Sequence, residues 1–188
     1  GIRTTNPVAV GDRVTVAGSA EDADYITAIS PRRNYIIRRA SNLSKESHIL
    51  AANLDCAALV ATLRDPQTPT TFIDRFLATA EAYSVPAMIV LNKTDLWDED
   101  DRMLGDLVAG LYRSIGYPVF EVSAQTGYGL GSLVEELRGK TTLFAGNSGV
   151  GKSSLINAIV PGTCLKTGKI SDMHRTGMHT TTFSEMIS

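Results

Sequence analysis

The chain has 188 residues, is 43% hydrophobic and carries a net charge of −2, which suits an ordinary domain able to bury a core without staples. That balance excludes a globally basic footprint for nucleic acid, and no apolar run is long enough to span a bilayer, so no membrane partner is expected. The two cysteines, Cys56 and Cys164, fit no metal-ligand spacing. With no signal-peptide or lipidation pattern, they point to a reducing, cytoplasmic setting.

In chain order, residues 1–40 read as short β pieces. Val8-Ala9-Val10-Gly11-Asp12-Arg13-Val14-Thr15-Val16 places a Gly-Asp turn between apolar runs, and Tyr25 to Ile29 and Tyr35 to Ile37 have strand composition. Arg32, Arg33, Arg38 and Arg39 lie among them. Two readings stay open: arginines blunting a solvated sheet edge, or a phosphate-contacting patch on a small β-barrel. Residues 41–48 are polar and read as a linker. From Ile49 the pattern becomes strand alternating with helix, which argues for an α/β sheet.

Cys56 to Leu63 is a buried-strand candidate, with Cys56 a buried thiol. Thr71 to Tyr83 follows as a helix with Phe72, Ile73, Phe76, Leu77 and Ala80 on one face. Ala87 to Leu91 is the next strand. Asp98-Glu99-Asp100-Asp101 opens a helix, where acids suit the positive N-terminal dipole. Met103, Leu104, Leu107, Val108, Leu111, Tyr112 and Ile115 are its expected buried stripe, and Gly116 ends it. Val119 to Val122 is a strand, and a short helix then turns Leu130, Leu133, Val134 and Leu137 inward.

Thr141 to Ala145 is an apolar strand that leads into Gly146-Asn147-Ser148-Gly149-Val150-Gly151-Lys152-Ser153, with Ser154 continuing into a helix. This fits G-x-x-x-x-G-K-[ST], the phosphate-binding P-loop, in its required strand–loop–helix context. Glycines let backbone N–H groups close on a phosphate, and the helix N-terminus adds positive potential. Lys152 would reach the β- and γ-phosphates of a nucleotide, and the Ser153 hydroxyl would ligate Mg²⁺. Residues 161–178 have no helical period and read as a mobile loop.

Two further stretches read a base. Asn92-Lys93-Thr94-Asp95 follows directly on an apolar strand and fits N-K-x-D. A carboxylate at Asp95 can accept from both guanine N1–H and the exocyclic amine. Adenine lacks both donors and would leave the carboxylate unpaired. The Lys93 stem can lie along the base, and Asn92 can tie this loop to the P-loop. Ser123-Ala124-Gln125 closes the following strand and fits the S-A-x element, whose backbone N–H groups contact guanine O6. His179-Thr180-Thr181-Thr182 offers a threonine to complete Mg²⁺ coordination; Thr181 is favoured, with Thr180 second. His179 is the candidate for positioning the attacking water, with loop packing as an equal alternative.

In these stretches N-K-x-D and S-A-x precede the P-loop, the reverse of ordinary small GTPases. The chain resembles the circularly permuted GTPases, and in particular the bacterial ribosome small-subunit-dependent GTPase A family. The matching stretches are Asn6 to Asp12, Pro31 to Asn34, Ala51 to Asp55, Asn92 to Asp95, Gly146 to Ser154, Thr167 to Ser171 and His179 to Thr182. The resemblance implies an α/β fold: a circularly permuted P-loop GTPase domain over 46–188, preceded by a partial OB-fold, RNA-binding β-barrel over 1–45. It implies GTP hydrolysis stimulated by the small ribosomal subunit during late maturation, GTP/GDP and Mg²⁺ as ligands, 16S rRNA as a partner and a monomeric state. The family's zinc-binding domain and D-x-x-G motif have no counterpart in this sequence, which is expected to be trimmed at both ends, so zinc falls on no residue here. Two other readings are an ATP-using P-loop enzyme and a nucleotide-gated RNA-binding module with little catalysis of its own.

Overall fold

A four-stranded, fully parallel sheet forms the centre of the molecule. The computed structural model describes residues 7–18, 24–39, 47–166 and 186–187, with backbone alone at 38, 39, 47 and 48. His179, Thr180, Thr181 and Thr182, the Thr167 to Ser171 stretch and the side chains of Arg38 and Arg39 lie outside the described residues.

The elements in order are β1 (Val14–Ala17), β2 (Tyr25–Ile29), β3 (Tyr35–Arg39), β4 (Ser47–Ala52), β5 (Cys56–Ala61), α1 (Thr70–Ala82), β6 (Ala87–Leu91), α2 (Glu99–Ser114), β7 (Val119–Glu121), α3 (Leu130–Leu137), β8 (Thr142–Ala145) and α4 (Lys152–Ile159). A parallel sheet covered on both faces needs strands that are apolar throughout. Every residue of β5 is buried, as its Cys-Ala-Ala-Leu-Val-Ala sequence requires. Because side chains alternate across a strand, Leu59, Ala61, Ile89 and Leu91 meet α1 and α2 through Ile73, Leu77, Val108 and Tyr112. Ala58, Val60, Met88 and Val90 face the other way, onto Leu133 of α3 and Leu155 of α4. The result is a three-layer α/β/α sandwich.

The chain runs outward from β5 through β6 to β7, then returns to place β8 on the other side of β5. Loops leaving the carboxyl ends of β5, β6, β7 and β8 therefore converge where the strand order reverses, the usual position of a ligand crevice in such sheets.

The helix predicted over 71–83 forms as α1, with Ile73, Leu77 and Ala80 buried on the expected face. α2 corrects an expectation. Its buried residues are Asp101, Gly105, Val108, Ala109 and Tyr112. Met103, Leu104, Leu107, Leu111 and Ile115 are exposed, Leu107 at 70%. The helix is rotated by roughly a quarter turn from the predicted face. The cause is local: Gly105 lies on the ring of Trp97, where a Cβ would come 2.5 Å from the indole. Small residues at 105 and 109 let the helix seat there rather than on its larger apolar side chains.

The amino-terminal part forms two antiparallel pairs, β1 with β2 and β3 with β4. Val8 to Val10 is not a strand. Gly11, at φ +89°, turns the chain so tightly against β4 that a Cβ would lie 2.2 Å from the Ala52 carbonyl. The linker expected over 41–48 is shorter than predicted, because Ser47 and His48 already pair in β4. Ile36 of β3 shares a core with Ala51, Leu54, Ala57, Ala80 and Val85, so β3 packs on the start of β5 and the end of α1.

Arg32 and Arg33 both have partners within the chain. Arg32 makes a two-pronged contact with Asp12, at 2.6 Å to each oxygen, and donates to the Pro7 carbonyl. Arg33 donates to the carbonyls of Asn53 and Leu54 and to Asp55. Both guanidinium groups hold the chain's own turns together. Arg33 makes these side-chain bonds through one guanidinium nitrogen, and its side chain is 59% exposed.

Candidate nucleotide-binding site

The P-loop begins where β8 ends. Gly146 has φ +145°, and a Cβ there would lie 2.3 Å from the Val60 carbonyl oxygen at the end of β5. Gly149 and Gly151 also have positive φ. A Cβ on Gly151 would sit 2.5 Å from the Asn92 amide nitrogen. The loop thus runs through a space only glycine allows, and its backbone curls as a phosphate cradle must. Val150 is fully buried in the core and anchors the loop from below. Gly151 caps α4 with no side-chain bond to the first-turn amides, which leaves those donors for an anion.

Lys152 is the first residue of α4, and its ammonium donates to the carbonyls of Gly146 at 2.9 Å and Asn147 at 2.7 Å. Burial lowers its pKa from the ordinary lysine value, since desolvation penalises the charged form. A bound phosphate would reverse that penalty. Ser153 and Ser154 follow in the same turn, Ser153 half-buried and Ser154 exposed.

The base-reading loop leaves β6 directly. Asn92 is 2% exposed and acts as the joint of the site. Its amide donates to the Val150 carbonyl in the P-loop at 2.9 Å, and its carbonyl accepts from Ala124 N–H at 3.2 Å. One side chain therefore holds the P-loop, N-K-x-D and S-A-x stretches in register. The tie from Asn92 to the P-loop forms as expected; the second tie, to Ala124, is an addition, and a guanine O6 would share that N–H with Asn92. Lys93 sits in the left-handed region at φ +67°, and its ammonium donates to the Asp65 carbonyl in the loop after β5. Thr94 is buried, and its N–H donates to the Val122 carbonyl.

Asp95 is exposed at the rim, where its carboxylate accepts from the Ser123 hydroxyl at 2.5 Å. Ser123 is fully buried, and its oxygen accepts in turn from Thr126 N–H at 3.1 Å. Gln125 contributes an exposed backbone corner between them. A cleft of about 410 Å³ opens beside Asp95, walled by Thr94, Trp97, Arg102, Glu121, Thr126 and Tyr128. Trp97 and the loop carrying Arg64 and Asp65 were not singled out in the sequence, because neither belongs to a short motif.

Each donor set fits its group by its own chemistry. The glycine-lined loop fits a phosphate chain, the Ser153 hydroxyl fits Mg²⁺, and a fixed carboxylate at Asp95 fits the donor edge of guanine. Among the described residues no cluster of His, Cys, Asp or Glu could hold a metal ion, so zinc finds no ligand set there.

The family model described as RsgA GTPase matches residues 29–188. A relative from Porphyromonas gingivalis, named small ribosomal subunit biogenesis GTPase RsgA, is 62% identical over 100% of this chain and 60% of its own length. One from Bacteroides thetaiotaomicron, named small ribosomal subunit biogenesis GTPase RsgA 2, is 60% identical over 100% of this chain and 61% of its own. The crystal structure of YjeQ from Thermotoga maritima superimposes with a TM-score of 0.69 at 40% identity, covering 86% of this chain and 54% of that one. YloQ, described as a circularly permuted GTPase, gives a TM-score of 0.62 at 35% identity over 86% of this chain and 54% of its own. The chain thus spans about 60% of the length of the curated relatives it matches.

Proposed function

This chain belongs to the RsgA GTPase family, and from that premise we propose that it is the guanine-nucleotide-binding part of a GTPase that acts on the small ribosomal subunit during its biogenesis. The observation that carries the reading is Asn92, which bolts the phosphate loop to both base-reading stretches across a permuted chain order.

The proposed reaction is in-line attack of water on the γ-phosphate, breaking its bond to the β-phosphate bridging oxygen and releasing GDP and phosphate. Lys152, freed from the Gly146 and Asn147 carbonyls, stabilises the charge that develops on the transferring group, together with the loop amides. Ser153 with Thr181 would hold Mg²⁺, which would supply neutralising positive charge to the phosphates. Asp95, fixed by Ser123, selects guanine. His179 is the candidate for positioning the water, and Thr181, with Thr180 second, is the candidate for completing Mg²⁺ coordination.

The finer assignments are proposals as well. Residues 1–45 are assigned to an OB-fold module that contacts 16S rRNA, and residues 46–188 to the permuted G domain. A monomer in the cytoplasm is the expected form; among the described residues no helix is long and apolar enough to cross a membrane.

The test is GTP turnover by the full-length protein alone, with purified small ribosomal subunits, and with large subunits as control. Stimulation by small subunits alone supports the reading; equal or absent stimulation by both overturns the partner assignment. His179→Ala should slow stimulated turnover and leave GDP affinity intact. A GDP-over-ADP preference that survives Asp95→Ala would overturn Asp95 as the residue that selects guanine.

A further inference from the structure

The loop after β5, residues 62–68, carries no nucleotide motif, yet two adjacent residues in it hold both ends of the base-reading loop. At one end Lys93 donates its ammonium to the Asp65 carbonyl. At the other, Arg64 donates from a single guanidinium nitrogen to Asp98 at 2.8 Å and to Asp101 at 2.5 Å.

The second contact has a clear physical cause. Asp98 and Asp101 form a reciprocal capping box at the start of α2. Asp101 N–H donates to the Asp98 carboxylate at 2.9 Å, and Asp98 N–H donates to Asp101 at 3.2 Å. A capping box usually pairs a hydroxyl or one acid with a longer partner. Here both members are aspartates, so two anions face each other across one helical turn. Asp101 is 8% exposed, which makes an uncompensated charge there costly. Arg64 supplies the compensating cation. Its partners lower the Asp98 pKa, with the Asp101 backbone bond as the larger cause and Arg64 the next.

A closed ring results: Lys93, Asp65, Arg64, Asp98, and back through Trp97 and Thr94 to Lys93. Asp65 is one of the non-glycine residues with positive φ, at +50°. The ring brackets Asp95. We infer that Arg64 is a positioning residue for guanine recognition: by gripping the capping box of α2 it fixes the Asp65 carbonyl, which sets the path of the Lys93 stem along the base. The inference rests on the guanine-nucleotide reading of the site. Arg64 itself touches neither base nor phosphate. The Arg64–Asp98 pair is exposed and contributes little to overall stability, whereas the pair with the nearly buried Asp101 contributes more. The role of Arg64 in recognition lies in where it holds Lys93.

The experiment compares GDP and ADP affinities by calorimetry for the wild-type chain and for Arg64→Ala, Arg64→Lys, Lys93→Ala and the Arg64→Ala/Lys93→Ala pair, with a melting temperature for each. The wild-type GDP-over-ADP preference tests the underlying reading by itself. Given that preference, Arg64→Ala should weaken GDP binding on the order of five- to ten-fold, with a lowered melting temperature that reports the unpaired Asp101 separately. In the Lys93→Ala background the same change should alter GDP binding less than about two-fold, because the path it acts through is gone. Arg64→Lys should restore part of the loss, since one nitrogen makes both carboxylate contacts. GDP binding by Arg64→Ala within two-fold of wild type would overturn the inference. So would an undiminished effect in the Lys93→Ala background, which would mean Arg64 acts by general loosening. Arg64 is 42% exposed, so its truncation leaves no cavity. If Arg64→Ala melts too early for calorimetry, Arg64→Gln carries the same comparison.

Discussion

Ser123 is worth as much attention as the aspartate it supports. Its hydroxyl donates to Asp95 at 2.5 Å from a fully buried position. Ser123→Ala should therefore weaken GDP binding by about 1 kcal/mol, roughly five-fold, while ADP binding hardly changes. Equal losses for both nucleotides would place Ser123 in the scaffold and not in base recognition. Lys152 gives a pH signature. Desolvation holds its pKa below the ordinary lysine value in the free chain. Above the depressed pKa the free lysine is neutral, and a bound phosphate favours the ammonium. GDP binding should then take up protons at alkaline pH and weaken as pH rises through that range. Calorimetry in two buffers of different ionisation enthalpy reads the uptake directly.

The element that decides most is α2. Its start is a capping box clamped by Arg64, and its buried face is built from small residues seated on Trp97. Glycine inside a helix ordinarily costs about 1 kcal/mol relative to alanine, so Gly105→Ala would stabilise an isolated helix. Here the steric effect wins, because the new methyl would meet a buried indole ring at 2.5 Å. Gly105→Ala should destabilise by about 1–3 kcal/mol and shift the emission of Trp97, the chain's one tryptophan. On the opposite face, Leu107 is 70% exposed and its replacement by Gln should change stability by less than about 0.5 kcal/mol. Tyr112, 1% exposed and bonded to Asp74 at 2.8 Å, should cost about 3–5 kcal/mol as Ala. The predicted stripe treated Leu107 and Tyr112 as equivalent, so this pair of unfolding curves separates the two descriptions of the helix.

At the scale of the whole molecule, charge holds the amino-terminal turns to one another and to the α/β sandwich. Asp12 has a side chain 1% exposed and is paired with Arg32. The Arg32 bond is the main cause of its pKa lying below 3.8. A depressed carboxyl contributes its stability in full above 3.8 and loses it as pH falls through the folded pKa. Asp12→Asn should lower stability at neutral pH by on the order of 2 kcal/mol, and the gap from wild type should close on acidification. A gap that stays constant down to low pH would mean that packing, not charge, holds the turn. A second tie runs from Arg33 through Asp55, whose carboxylate accepts from Thr141 N–H at 2.8 Å and so reaches the strand that carries the P-loop.

The sequence by itself determined the order of strands and helices from Cys56 onward, the three nucleotide stretches and their permuted order. Each of these is local: a P-loop needs its glycines because backbone must pass close to other backbone, and a buried parallel strand must be apolar at every position. Tertiary structure decided which face of α2 is buried, since a broad apolar arc does not say where the neighbouring Trp97 will sit. It also decided the intrachain partners of Arg32 and Arg33, because Asp12 and the turn at 53–55 lie some twenty residues away along the chain. The Arg64–Asp65 loop became visible only when β5 and β6 were placed side by side, because its contacts with Lys93 and Asp98 are made across the sheet's carboxyl edge and leave no local pattern.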